Sequence, residues 1–210
     1  MEIIIILILI LILWSVWGYF SSRVEQMEYT VVKKNKYYEV RKYPKHILAQ
    51  ATVSGDFMSG MNSGFSIVAS YIFGGNIKRE SISMTAPVLS SSAKEVGSKI
   101  SMTAPVIIDG GGDTSRTISF GMPRGYTMET LPIPNDKRVK LVEIAEKTFA
   151  VVRFSGYRNA NKIERISKEL KDKLSKDGVE SIGSVSYAGY NAPWTPPWMT
   201  RNEVLIEIIK

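Results

Sequence analysis

The run "KHILAQATVSG" fills residues 45–55, and "EKTFAVVRFSG" fills residues 146–156. Laid over each other, the two share an alanine and a terminal Ser-Gly. Both are rich in β-branched and aromatic residues, and each follows a shorter run of the same kind, "YYEVRKY" (37–43) and "VKLVEI" (139–144). These predict strands over 37–43, 46–53, 139–144 and 148–154, with Pro44 dividing the first pair. A helical period follows each. Asp56 caps a stripe of Phe57, Met61, Phe65, Val68 and Ile72 that ends at Gly74-Gly75. Ile163, Ile166, Leu170 and Leu174 form the second stripe, with Glu164–Lys168 and Glu169–Lys173 at i,i+4 outside and Gly178 closing it. Strands over 183–190 and 202–209 finish the chain. Strands, helix and strands written twice predict an α+β fold of two pseudo-symmetric β-α-β halves, an internal duplication in which each helix covers a sheet.

A second repetition is the heptapeptide "ISMTAPV", at 82–88 and again at 100–106. At period two, Ile, Met, Ala and Val share one face, so each copy reads as a strand with one apolar side. Pro87 and Pro105 donate no hydrogen bond and belong at a strand end, an edge or a bulge. The matched methionines fill either core or a ligand pocket, since thioethers suit both.

The N terminus is different in kind. Ile3 to Phe20 carries no charge, and eighteen helical residues reach about 27 Å. That nearly matches a hydrocarbon core of about 30 Å. Trp14, Trp17 and Tyr19 lie at its C-terminal end, where amphipathic rings favour the membrane interface. Residues 1–22 therefore read as a transmembrane anchor, with a cleaved signal peptide as the alternative. Met-Glu is a poor n-region for a signal, which favours the anchor. Arg23, Lys33 and Lys34 follow the span, so the positive-inside rule places the soluble domain, 27–210, in the cytoplasm of a single-pass protein. The alternative is export.

Composition narrows the chemistry. The 27 basic and 20 acidic residues give a net charge of +7, which favours anionic partners. With no cysteine and one histidine, disulfides, thiolate nucleophiles and His/Cys metal clusters are not expected. No P-loop, dinucleotide fingerprint or nucleophile elbow appears, and "DGGGD" (109–113) reads as a turn rather than a calcium loop. A binding protein is expected, not an enzyme, and no nucleic-acid partner.

The twin "KRESISMTAPV" and "SKISMTAPV", "GMPRGYTMETLPIPNDKRVKLVEI", "FAVVRFSGY" and "YAGYNAPWTPPWMTRNEVLIEI" together resemble the SOUL heme-binding protein family, in its order, from about Tyr29 to the C terminus. The resemblance implies a twisted antiparallel β-barrel made of two halves with two flanking helices. It also implies a heme or other porphyrin, held without catalysis in an apolar groove beside the first soluble helix. On this chain the groove maps to Met58, Met61, Phe65 and Val68, closed by Tyr190, Trp194, Trp198 and Met199. Rigid prolines in that loop present the indoles at low entropic cost. Arg41, Lys42, Lys78, Arg79 and Arg201 are candidates to pair the propionates, and His46 is the candidate axial ligand; no other metal is expected. The fold is also similar to bacterial regulator domains that bind drug-like effectors. A receptor for another amphipathic small molecule is therefore the alternative function, and a basic domain lying on anionic lipid is a third.

Overall fold

The computed structural model describes residues 2–21, 24–78, 97–110 and 115–209. The first heptapeptide, 82–88, and Arg79 lie outside them. Nine strands form the main sheet: β1 (Thr30–Lys34), β2 (Glu39–Tyr43), β3 (His46–Ser54), β4 (Val106–Gly110), β5 (Ser115–Gly121), β6 (Val139–Ile144), β7 (Lys147–Phe154), β8 (Ser181–Gly189) and β9 (Asn202–Ile208). Helix α1 spans Glu2–Ser21, α2 Phe57–Ile72 and α3 Ala160–Lys176.

Every pairing in the sheet is antiparallel, and its order is β6-β3-β5-β4-β8-β9-β7-β2-β1. The sheet curls into a half-barrel whose edges are β6 and β1. Apart from β1, the order is palindromic about the β4–β8 pair: β6 answers β2, β3 answers β7 and β5 answers β9. The two opening runs therefore form equivalent strands, β3 and β7. Both end at a glycine with positive φ, Gly55 at 134° and Gly156 at 104°. Each glycine turns the chain into a helix capped by a short polar side chain, Asp56 on α2 and Asn159 on α3.

The helices cover one face of the sheet. Met61, Val68, Tyr71 and Ile72 of α2 and Ile163, Ile166, Leu170 and Leu174 of α3 share one core with Ala49, Ala51, Ile118, Phe120, Ala150, Val204 and Ile206. Both helices end as their glycines predict, with the second residue past the cap donating back to the last turn: Gly75 N–H to Ser70 O (2.8 Å) and Val179 N–H to Leu174 O (2.9 Å). Tyr37 and Tyr38 precede β2 rather than open it, and their hydroxyls donate to Glu169 and Asp177 at 2.7 Å, fastening α3 to the first half.

The opposite, concave face carries a smaller core of Tyr43, Val151, Ala188, Tyr190 and Leu205, with Val24, Met27, Tyr29 and Ala104 folded over it. Here the heptapeptide expectation needs correction. Residues 100–106 do not form a strand with one apolar side. Ile100 donates to the Ile72 carbonyl at the end of α2, and Thr103–Ala104 pairs in parallel with Glu25–Gln26. Thr103 and Pro105 are buried as well as Ala104. Both sides of the segment are covered, so the polar–apolar alternation marks no solvent face. The Ala104–Pro105 peptide is cis, and β4 starts just after it.

Candidate functional site

The concave face holds two adjoining cavities, of about 360 and about 320 Å³. Met27 and His46 line both. The first opens between the 25–28 segment, the start of β3 and the 122–127 loop. The second is floored by Leu48, Ile107, Phe149 and Leu205, with Ile144 and Pro105 at its sides. Period two creates this floor: the residues of β3, β7 and β9 that alternate with helix-facing positions must point here. Gly121 leaves room for the Met27 thioether, since a Cβ there would lie 3.0 Å from the sulfur.

His46 is the first residue of β3. Its Nδ1 lies 2.7 Å from the Pro44 carbonyl oxygen, which can only accept, so Nδ1 carries the proton and Nε2 keeps a free lone pair. Burial lowers its pKa, the Pro44 contact raises it, and the Lys147 charge lowers it again; the net shift is downward. The imidazole is therefore neutral at physiological pH. Elsewhere in the wall of the second cavity, burial raises the Asp109 carboxyl above its ordinary range, although Ser186 donates to it and Lys147 is near.

Beyond this floor lies a buried ionic cluster. Glu203 is fully buried (0% exposed). Both of its oxygens accept from Arg41 (2.9 and 3.0 Å), Tyr190 donates to one (2.8 Å) and Arg201 to the other (2.9 Å). Glu39 takes the rest of the Arg41 fork. Burial opposes the Arg41 charge, but Glu203 and Glu39 outweigh it and hold its pKa above normal. Burial, then the Glu203 charge, raises Tyr190. Arg201 also stacks on the Tyr190 ring, 3.8 Å from its centroid.

The residues expected to bind a ligand are thus distributed over several places. Met61 (6% exposed) and Val68 (0%) belong to the core under α2, whereas Met58 and Phe65 are exposed on it, Phe65 against Phe120. Arg158 bridges Met61 Sδ (3.8 Å) and the Asn191 carbonyl (2.9 Å), linking α2 to the start of the proline loop. Tyr190 faces the other side of the sheet, in the ionic cluster. Trp194 (57%) and Trp198 (55%) point outward and meet α1: Trp14 donates to the Trp194 carbonyl (2.8 Å) and packs edge-on to Trp198 at 5.3 Å. Met199 is half-buried at the end of a 3-10 turn. Arg41 and Arg201 are committed to Glu203, Lys42 pairs with Glu146 at 2.7 Å, and Lys78 is exposed beyond α2. Among the described residues, the two cavities of the helix-free face are lined by none of Met58, Met61, Phe65, Val68, Tyr190, Trp194, Trp198 and Met199.

Sequence reasoning passed over Met27 and Lys147, took Asp109 only as part of a turn, and did not see Glu203 as the partner of Arg41 and Arg201. One signal was present: in "EVRKY" Glu39 and Arg41 lie two apart, and in "NEVLIEI" Glu203 and Glu207 lie four apart, so each pair falls on one face of its strand. Complementary charges on the inner face of two strands mark a buried pair.

Comparison with known proteins agrees with the motifs. The family model of the SOUL heme-binding protein matches residues 24–96 and 90–207. Heme-binding protein 2 of Homo sapiens is 34% identical over 158 residues, 74% of this chain and 71% of that protein. Its Mus musculus counterpart is 30% identical over 159 residues, 75% of this chain and 71% of its own. In fold, the chain is similar to the C-terminal domain of EcmrR (TM-score 0.55, 11% identity, 88% of this chain and 99% of that one). A hydrolase from Listeria innocua is similar too (TM-score 0.54, 12% identity, 85% and 94%). At such identities these two share a fold and nothing more is carried over. The family model and the relatives' identity together settle the lineage: the chain belongs to the SOUL heme-binding protein family.

Proposed function

We propose that this protein is a membrane-anchored carrier or buffer of heme or a related tetrapyrrole, a binding protein rather than a catalyst, and that its ligand lies in the paired cavities on the helix-free face. The observation that carries the reading is His46: a neutral imidazole, its tautomer fixed through Pro44, in the wall common to both cavities. A donor so prepared would suit a heme iron, because the Pro44 carbonyl orients the ring and leaves Nε2 available to hold it. Leu48, Ile107, Ile144, Phe149 and Leu205 supply apolar wall for a flat macrocycle. Cations at the rim are held only by exposed or half-exposed pairs, Lys45–Glu143, Arg124–Glu28 and Lys147–Glu207. Such pairs are worth about 0–1 kcal/mol, so a propionate can replace the carboxylate at little cost. Arg41 and Arg201 have no such freedom.

The anchor reading has its own support. Residues 14 and 18 of α1 pack against the domain: the Trp14 contacts above, and Gly18 so close to Pro196 that a Cβ would lie 2.5 Å from Cδ. The flanking Lys33 and Lys34 favour a cytoplasmic domain. The palindromic strand order supports an origin by internal duplication.

Titrating hemin into the detergent-solubilised full chain tests the function. A shifted Soret band is expected at micromolar hemin, with His46→Ala altering its position and weakening binding at least about tenfold, the loss of a coordinate bond worth over ~1.4 kcal/mol. No Soret change would dismiss a tetrapyrrole ligand and favour a receptor for another amphipathic molecule. A second reading places the ring on α2, favoured by exposed Met58 and Phe65 beside the Arg158 bridge. Under it, Phe65→Ala weakens binding and His46→Ala does not.

A further inference from the structure

The loop 191–200 is stapled to the domain at its base and bare at its tip. Gly156 donates to Pro197 O (3.0 Å) and to Thr200 Oγ (2.9 Å), Asn202 donates to Gly156 O (3.0 Å), and Arg201 N–H donates to Asn191 Oδ1 (2.6 Å). Thr195 and Pro196 are buried. On either side of them the Trp194 and Trp198 side chains are turned outward with more than half their surface exposed. Tyr157, next to the stapling Gly156, is 73% exposed. A rigid loop rarely leaves two indoles in water without a use for them.

Its contacts with α1 decide the use. The apolar span covers Glu2–Phe20, about 28 Å at a rise of roughly 1.5 Å per residue. The part clear of the loop, Glu2–Leu13, reaches only about 18 Å, well short of a hydrocarbon core of about 30 Å. For α1 to cross, Trp14 to Gly18 must lie within the membrane boundary, and the loop touching them goes there too. Trp14 lies about 9 Å of helix rise below Phe20, which agrees with the roughly 5–10 Å reached by interfacial elements. The loop chemistry fits that depth. Pro193, Pro196 and Pro197 have no N–H to desolvate; Thr195, Met199 and Thr200 donate within the loop; and indoles prefer the headgroup region. Around the base, Arg158, just before α3, and Lys162 and Arg165 in its first turns add positive charge beside the loop, which suits an anionic headgroup layer.

We propose that residues 193–199 form a second, interfacial membrane contact: Trp194 and Trp198 insert at headgroup depth into the leaflet from which α1 emerges, seating the barrel on the bilayer. This rests on the anchor reading, and the test separates the two. The chain has no cysteine, so Trp194→Cys, Trp198→Cys, Leu7→Cys and Lys140→Cys each accept one nitroxide label. The full chain is reconstituted in phosphatidylcholine vesicles, and collisional access to oxygen and to a water-soluble nickel chelate is read by electron paramagnetic resonance. Labels at 194 and 198 should be several-fold less accessible to nickel than the label at Lys140 on the exposed β6 strand, and more accessible to oxygen. Nickel access at 194 and 198 equal to that at 140, with position 7 still lipid-shielded, overturns the loop contact and leaves the anchor standing. A nickel-accessible label at position 7 overturns both. Two loop positions are used because Trp198→Cys removes the Trp14 ring contact, whereas Trp194→Cys keeps the backbone acceptor of the Trp14 hydrogen bond.

Discussion

At the scale of single residues, the concave face is governed by where charge is buried and what holds it. Glu203 with Arg41 and Arg201 is a closed cluster, and removing one partner leaves a bare charge in a dry place. Glu203→Ala should lower unfolding stability by about 3–5 kcal/mol, read as a reduced denaturation midpoint of the solubilised chain. Joint replacement with Arg41→Met and Glu203→Leu should recover much of that loss. If the single and double variants were equally destabilised, the cluster would matter for packing rather than for charge. Asp109 has the opposite character. Its folded pKa is raised, so any stability it contributes is present below its unfolded value of about 3.8 and is lost as pH rises through the folded value. Asp109→Asn keeps an acceptor for Ser186 and removes the buried charge. Its melting temperature should rise by about 2–4 °C at pH 7, the shift expected of ~1 kcal/mol in a chain of this size. The gain should vanish near pH 3.

At the scale of elements, α2 shows how helix propensity and packing compete. Gly60 and Gly64 lie one turn apart. A Cβ on Gly60 would meet its nearest neighbour, Arg116 Cδ, at 3.5 Å, an ordinary contact. Gly60→Ala should therefore stabilise, by up to about 1 kcal/mol of helix propensity. At Gly64 the same Cβ would lie 2.4 Å from Ile118 Cδ1, and Ile118 is fully buried with nowhere to move. Gly64→Ala should cost about 1–3 kcal/mol despite the better helix former. Thermal melts of the two variants must move in opposite directions; two gains would mean that β5 yields easily. The elements were largely legible. Strands β3, β6, β7 and β9 follow their β-branched runs to within a residue or two, because half-buried sheet demands that alternation. Helix α2 follows its Asp56 cap, and both helices follow their closing glycines. The 100–106 segment was not legible as it stands, because its period-two pattern assumes solvent on one side, and the chain folds core over both. Tyr37 and Tyr38 look like strand residues by propensity but serve as hydroxyl donors to α3.

At the scale of the whole molecule, the doubled strand–helix plan predicts two like lobes, and apart from β1 the strand order of the sheet is palindromic. Family membership was equally readable, since its motifs are long strings. The candidate site was much less so. His46 was visible as the one histidine, but its preparation depends on the Pro44 carbonyl, and its neighbours Met27 and Lys147 come from distant segments. Arg41 and Arg201 looked available for propionates because Glu203 lies 162 positions from Arg41 and only the folded sheet brings them together. The indoles looked like a ligand lid because sequence does not show that α1 occupies their flank. The decisive question is which face of the sheet receives the ring. The chain has nine methionines, and labelling their methyl groups with carbon-13 lets a paramagnetic hemin report its own position by broadening nearby resonances. With hemin bound, the Met27 methyl signal should broaden beyond detection while Met58 and Met61 stay sharp. Sharp Met27 with broadened Met58 and Met61 would contradict the placement and put the ligand on the helix side.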